Sequence, residues 1–400
     1  MKESSLKGAV LFLILTSVVF ENSVFLSGIH ILAFIFALIS FFFSRQTIKK
    51  DGLLLLVFLF VLYSLFLRDY SEGLWRTIGL PQMSITLAIC ALTFLIVYSQ
   101  SDSKYLMKCF VNSVILLSIL TIILVNTSII HGLHSDEADE ILKQYGYNSN
   151  SIAAFTSIGA VFSIIKNDMK WKNNPQFLYL FLFSLLSGSR TVILFFVVII
   201  FVAYVVAKGN LLKIVFGTFA IGSIMFLVLQ IDFVYDIIGE RFLETFNVAG
   251  DFLKTGDYND ITETRLRMIV IGWNYFMDSI WFGNGLNSFS IQYSIINGRD
   301  PVYSHCNIIE ILCNTGLVGF IIYYSRFFYL IKSVLKHKTN KRLLAIIGLL
   351  FALLVMDVSV ITYYYKVYYI VLAIIGVYVR EQIKCSTYSS NLVFVDNAKS

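Results

Sequence analysis

Proline is nearly absent from this chain, with three in 400 residues. Proline breaks the hydrogen-bond ladder of a helix interior, so its scarcity leaves room for long uninterrupted helices. Charge is scarce too, at 14% of residues, which excludes a disordered, solvated chain. The five cysteines, Cys90, Cys109, Cys306, Cys313 and Cys385, form no CxxC or His-rich set. Neither a zinc site nor a disulfide framework is therefore indicated. There is no GxxxxGK[ST] loop for a nucleotide phosphate and no DxD pair for a metal-bound nucleotide sugar. Internal repeats, low-complexity tracts and any stretch resembling a separate soluble domain are also missing. No cleavable signal peptide is expected, because MKESSLK leads into an apolar run with no small-residue cleavage site after it.

What is present is apolar. Hydrophobic residues make up 58% of the chain, with 36 Phe and 23 Tyr. That excess predicts an all-α polytopic membrane protein. Apolar runs at 6–20, 24–43, 53–67, 80–98, 105–125, 149–165, 177–187, 191–207, 211–230, 306–330, 343–357 and 361–379 predict about twelve spans, of which 177–187 and 343–357 are short. The first two are separated only by ENS and read either as two spans or as one broken helix. The net charge of +6 invites a nucleic-acid reading, but its distribution favours membrane topology. Lysines and arginines cluster in RQTIKK, KNDMKWK, KGNLLK, KSVLKHKTNKR and REQIK. With twelve spans all five clusters fall on one side, which the positive-inside rule makes cytoplasmic, together with both termini. The chain then reads as one integral membrane domain, 1–400.

The opposite, external face receives one long loop, 231–305, with ten acidic and five basic residues. A loop of this length implies structure or function of its own. Within it, TETRLRMIVIGWNYFMDSI (262–280) reads as an amphipathic helix, with Met268, Ile269, Trp273 and Phe276 on one face that would lie along the membrane surface. The helix ends at FGNGLNSF, where two glycines supply turns.

Polar groups near bilayer depth are costly, so they are candidates for function. Arg190 stands in LLSGSRTVILFF between two apolar runs. It reads either as a snorkelling anchor or as an anion site, since a guanidinium pairs two hydrogen bonds with phosphate oxygens. Arg265 and Arg267 begin the amphipathic helix; they read as a solvated face or as phosphate ligands near a helix N-terminus. His305 ends the loop. It is either structural or the one group of this set able to accept a proton near neutral pH. Asp357 reads as a proton relay or an ordinary helix end. HGLHSDEADE (131–140) reads as a metal site or, more simply, a solvated loop. Cys306 and Cys313 share one helical face and are expected to pack. The tyrosines at 363–365 and 368–369, with Lys366, look like an interface belt.

Three patches resemble the bacterial O-antigen polymerase (Wzy) and O-antigen ligase superfamily, and most of all its capsular or exopolysaccharide repeat-unit polymerases. SGSRT (187–191) resembles that family's Ser-x-Arg element. RLRMIVIGWNYFMDSIWFGNGLNSF (265–289) resembles its arginine, amphipathic helix and Gly-x-Gly turn. SHCNIIEILCNTGLVGFIIYY (304–324) resembles its His, Asn, Glu and Gly-x-x-Gly element. Cys306 follows the histidine where many relatives carry Asn, which here comes one place later as Asn307. The usual proline before the glycine turn is replaced by Ser279, Ile280 and Trp281.

The resemblance implies a fold related to the GT-C glycosyltransferases and an inverting, metal-independent glycosyl transfer without a cofactor. The implied donor is a glycan on undecaprenyl diphosphate, and the acceptor a lipid-linked repeat unit. The alternatives are another acceptor, as in a ligase, or transport, as in a flippase. It also implies a multi-pass protein of the bacterial cytoplasmic membrane, working among membrane lipids on the external face beside a flippase and a chain-length regulator, with no nucleic acid. Carried onto this sequence, His305 is the base, and Arg190 and Arg265 stabilise the leaving diphosphate. Arg267, Asn307, Ser189 and Glu263 contact substrate, with Glu263 and Asp260 as rival bases. Glu310 would hydrogen-bond inward to hold the helix that starts after His305.

Overall fold

The computed structural model describes residues 3–20, 27–44, 51–71, 81–125, 133, 136–145, 147–170, 173–187, 189–208, 264–297, 301–337 and 341–397. Among them are fourteen helices and no strand. In chain order these are α1 (Glu3–Phe20), α2 (Ser27–Phe43), α3 (Gly52–Leu65), α4 (Gln82–Tyr98), α5 (Ser103–Val125), α6 (Asp136–Gln144) and α7 (Ser149–Lys166). They continue with α8 (Pro175–Leu186), α9 (Arg190–Lys208), α10 (Thr264–Asp278), α11 (Ser288–Asn297), α12 (Asn307–Leu335), α13 (Lys341–Met356) and α14 (Lys366–Asn397). The apolar run 211–230 and the loop residues 231–263 lie outside the described residues.

Local chemistry sets several starts. Asp51 caps α3 by accepting from the Leu54 amide at 3.1 Å. Asn148 caps α7, and Asn174 caps α8 just before Pro175 at a position where a missing N–H costs nothing. Pro81 cannot cap α4 with its own side chain. Asp69 does so from a distance, accepting from the Ser84 amide at 2.9 Å.

The first two apolar runs form separate helices, α1 and α2, packed against each other. The centre of the bundle is α14, where Val367 and residues 369–375 and 377–379 are all buried. A helix that is apolar and buried all round belongs to the interior of a bundle. Outward-facing residues are equally apolar: Leu32, Phe42, Phe43, Leu55, Phe66, Ile123 and Phe328 are each at least 65% exposed. Apolar surface this extensive needs a nonaqueous surround, consistent with a membrane protein. By length and composition, α5 and α12 can cross a membrane, and seven shorter helices are apolar.

The long helix expected at 306–330 is not one rod. At Gly316 the backbone turns to φ +66, ψ −171, and α12 divides into a first arm, 307–315, and a second, 317–335. The second arm alone reaches about 28 Å at 1.5 Å per residue. The arms fold toward each other: Asn307 Nδ2 donates to the Tyr324 hydroxyl at 3.3 Å. In a straight helix residues so spaced would stand roughly 25 Å apart.

A helix opened in an apolar surround exposes backbone groups that cost several kcal/mol each if left unpaired. Here the glycine turn after α10 pairs them. Asn284 and Gly285 amides donate to the carbonyls of Cys313 (2.9 Å) and Asn314 (3.0 Å), and the Leu317 and Val318 amides donate to Ile280 (2.8 Å) and Trp281 (3.1 Å). The Tyr63 hydroxyl takes the Thr315 carbonyl at 2.8 Å. A Cβ on Gly316 would strike the Gly283 amide and the Trp281 carbonyl, and one on Gly283 the Asn314 backbone. Gly283 also has a positive φ, +72. Both positions therefore require glycine.

The amphipathic segment is a helix, α10, but it does not lie with the four named residues on one outward face. Met268, Gly272 and Phe276 form a buried stripe with four-residue spacing, while Trp273 is exposed. The stripe docks on the first arm of α12, with Gly272 against Ile309, and on α11, with Gly272 against Phe289. α11 has no counterpart in the predicted spans. Of the stretch 131–140 expected as a solvated loop, residues 136–140 begin the helix α6, in which Ala138 and Leu142 are buried four residues apart while Glu137 and Glu140 face out. His131 and His134 lie outside the described residues.

Candidate functional site

His305 has φ +57, a left-handed conformation uncommon for residues other than glycine. Its neighbours hold it there. The Ser304 amide donates to Glu310 Oε2 at 2.8 Å, and Ser304 Oγ donates to the Cys306 carbonyl at 2.9 Å. Glu310, expected to hydrogen-bond inward, does so and is fully buried. The clamp turns the imidazole onto the Tyr303 ring, with centroids 4.3 Å apart.

His305 lines a small, partly open cleft. One wall is the start of α7, with Asn148, Asn150 and Ser151; the other is the loop between α13 and α14, with Ser359, Val360, Ile361 and Tyr365. Tyr303 completes the lining beside His305. The Asn148 amide group reaches the Tyr303 hydroxyl at 3.5 Å, so the α7 cap and the histidine loop are joined.

Arg190 is described in backbone only, at the N-terminus of α9. Both of its neighbours touch the cleft walls. Ser189 Oγ donates to Asn150 Oδ1 at 3.3 Å, and Thr191 Oγ1 shares a hydrogen bond with Ser359 Oγ at 2.8 Å. Two helix N-termini, of α7 and α9, therefore meet at the cleft beside His305. Their positive dipole ends favour an anion.

Arg265 is likewise described in backbone only, and Arg267 is half-buried; both stand in the first turn of α10. α10 runs parallel to the first arm of α12. Gly272 lies against Ile309, and Ile280 and Trp281 pair with Leu317 and Val318 at the same sequence offset. The start of α10 therefore lies toward the His305 end of that arm. Glu263 and Asp260 lie outside the described residues.

Asn307 is completely buried, and its side chain is fully occupied. Oδ1 accepts from the Thr362 and Tyr363 amides at 2.9 and 3.1 Å, and Nδ2 donates to Tyr324. Its own amide donates to the Asp357 carbonyl at 2.7 Å. This differs from the expected sugar contact: the asparagine caps the loop that forms a cleft wall. Asp357 is no ordinary helix end either. Its carboxylate accepts from Tyr324 at 2.9 Å and Thr362 at 2.7 Å. Thr362 also shares a 2.7 Å hydrogen bond with Tyr323, on whose ring the buried Arg326 guanidinium stacks at 3.7 Å. The tyrosines at 363–365 belong to this loop, and Tyr363 is buried. Their role as an interface belt gives way to packing under the site.

The sequence reading missed Asn148, Asn150, Tyr303, Ser359 and Tyr365 as cleft residues. Asn148 carried a signal, because an Asn before a Ser and an apolar run marks a helix start. That this start faces His305 is a tertiary fact. Asn314 was also missed. Its Oδ1 accepts from Ser288 Oγ (3.0 Å) and the Phe289 amide (3.1 Å), capping α11, while Nδ2 donates to the Tyr363 hydroxyl at 3.0 Å.

Residues 176–324 match the family model Wzy_C, described as O-antigen ligase. The matched stretch runs from α8 to the second arm of α12 and includes Arg190, Arg265, Arg267 and His305. The match supports the O-antigen polymerase and ligase superfamily for this chain, and with it glycan transfer of that general type. No curated protein matches the chain.

Proposed function

We propose that this chain is a multi-pass membrane glycosyltransferase that polymerises lipid-linked oligosaccharide repeat units. The observation that carries this reading is the flanking of Arg190. Ser189 and Thr191 each hydrogen-bond to a wall of the cleft that His305 lines. The backbone at Arg190, the N-termini of α7 and α9 and the His305 loop thus come together from distant parts of the chain, which supports a shared role for Arg190 and His305.

Glycosyl transfer from a lipid diphosphate needs those groups. The acceptor hydroxyl oxygen forms a bond to the anomeric carbon as the bond from that carbon to the diphosphate oxygen breaks. The hydroxyl proton passes to His305, and the electron pair leaves on undecaprenyl diphosphate. Positioned general bases contribute on the order of 10²–10⁴-fold. Arg190, with Arg265 and Arg267 at the start of α10, would hold the developing charge on the leaving group; preorganised charge of this kind contributes several kcal/mol. Attack opposite the leaving group inverts the anomeric centre. The donor is already activated, so no metal or cofactor enters the scheme. Ser189 and Glu263 remain substrate contacts in this reading, whereas Asn307 acts as a positioning residue.

In the same reading the chain is GT-C-related, with twelve spans, cytoplasmic termini and the cleft at the external face of the cytoplasmic membrane. A chain-length regulator and a flippase would work beside it. The second reading is a ligase, favoured by the description of the matching family model; there the acceptor would not be another repeat unit.

Reconstitution into vesicles with a defined lipid-diphosphate repeat unit tests both. Lengthening of the glycan supports polymerisation. Transfer only to a different lipid acceptor supports the ligase, and movement across the bilayer without new bonds rejects both in favour of transport.

A further inference from the structure

We infer that the outward face of α10 and the turn after it form a lipid-contacting surface, seated among phospholipid acyl chains at the edge of the bilayer rather than in an aqueous loop. The inference rests on membrane residence and not on glycan transfer.

Three strips follow one another around α10. Met268, Gly272 and Phe276 are buried against α11 and the first arm of α12. Trp273 and Met277, four residues apart, form the next strip, and both are exposed. Asn274 and Asp278, also exposed, stand one residue on and so about 100° further round. An apolar strip between a docked face and a polar edge suits a helix held at a membrane border. The strip continues past the helix end into exposed Ile280, and then into Trp281 and Phe282, which are 64% and 63% exposed. Only the backbones of these two aromatics are spoken for among the described contacts. The Trp281 carbonyl accepts from the Val318 amide at 3.1 Å, and the Phe282 carbonyl from the Tyr63 hydroxyl at 3.3 Å. Their side chains project from the protein, an arrangement that water disfavours.

The neighbours set the depth. Tyr63 lies in the last turn of α3, beside Leu62, Leu65 and Phe66, all exposed and all apolar. The aromatic tip therefore continues the outward apolar face of α3. A few residues later the chain reaches the polar run that follows α3. The Leu286 amide donates to the Arg68 carbonyl at 2.7 Å, and the Tyr70 amide to the Leu286 carbonyl at 3.0 Å. The turn thus passes from the apolar belt to its polar rim, the border where tryptophan concentrates in membrane proteins. This differs from a helix resting on the membrane through Met268 and Phe276, because the protein itself covers those two side chains.

Fluorescence in phosphatidylcholine nanodiscs tests the placement. The full chain carries Trp75→Phe, Trp171→Phe and Trp273→Phe, which leaves Trp281 as the sole tryptophan. With lipids brominated along the upper acyl chain, Trp281 should lose about half its emission, as expected for an interfacial aromatic. Aqueous acrylamide should quench it weakly. Strong acrylamide quenching without bromolipid quenching would put the tip in water and overturn the inference. Protection from both quenchers would assign the face to a protein neighbour, such as a second copy, and overturn it equally. Trp281→Asp should lower Tm in nanodiscs, whereas Trp281→Leu should leave it unchanged; equal Tm for the two would count against lipid contact. Should Trp281→Asp fail to fold, the quenching comparison still decides. Glycan lengthening is read separately and stands or falls independently of either result.

Discussion

Asn307 and Tyr324 hydrogen-bond at 3.3 Å although a nominally continuous helix contains both. That contact exists because α12 folds back at Gly316. It places the residue after the histidine loop against the middle of the second arm, and Asp357 and Thr362 close the ring. The cleft wall and the histidine loop are thereby tied to one buried network. Its disruption should be separable from loss of chemistry.

His305→Asn should abolish glycan lengthening, by on the order of 10²–10⁴-fold, while leaving the protein folded. Asparagine tolerates the left-handed backbone at this position better than most residues. It is therefore a cleaner probe than His305→Ala, which adds backbone strain. Product chain length and Tm of the purified protein are the paired readouts. Normal chain lengths would remove His305 from the mechanism.

Arg190→Lys keeps the charge at the start of α9 but loses the paired guanidinium geometry. The expected outcome is a fall in kcat of at least tenfold with Tm unchanged, read in the vesicle transfer assay. Full activity would mean that a point charge suffices.

Asn307→Ala should behave differently from both. It removes the acceptor for two buried amides and the donor to Tyr324. Each unsatisfied buried group costs about 1–3 kcal/mol, so Tm should fall together with activity. A variant with unchanged Tm and a raised acceptor KM would instead restore Asn307 as a sugar contact.

Gly316→Ala should destabilise the fold at the break itself. The positive φ alone costs about 1–3 kcal/mol for a residue with a Cβ, and the Cβ would also collide with the glycine turn after α10. Lower Tm and easier proteolysis between α10 and α12 are expected; a stable, active variant would show that the backbone exchange is dispensable.

Asn314→Ala tests the second anchor of that turn. It uncaps α11 and releases Tyr363 from beneath the cleft. Hydrogen exchange should rise in residues 288–297 and 357–365 with α3–α5 unaffected. Uniform protection across these segments would count against a keystone role.

The apolar runs and the amphipathic helix within 262–280 were legible from the chain alone, because each depends on neighbours within a few positions. Arg190 and His305 stood out as candidates for a related reason: polar groups are conspicuous in an apolar sequence. The break at Gly316 was not, since a glycine within an apolar run looks helical until a distant backbone, residues 280–285, takes up the freed carbonyls and amides. Nor was the role of Asn307, whose partners at 357 and 362–363 come from the other side of two helices. Local periodicity set which segments became helices; long-range hydrogen bonding in a poorly solvated interior decided where one of them folds and which side chains line the cleft.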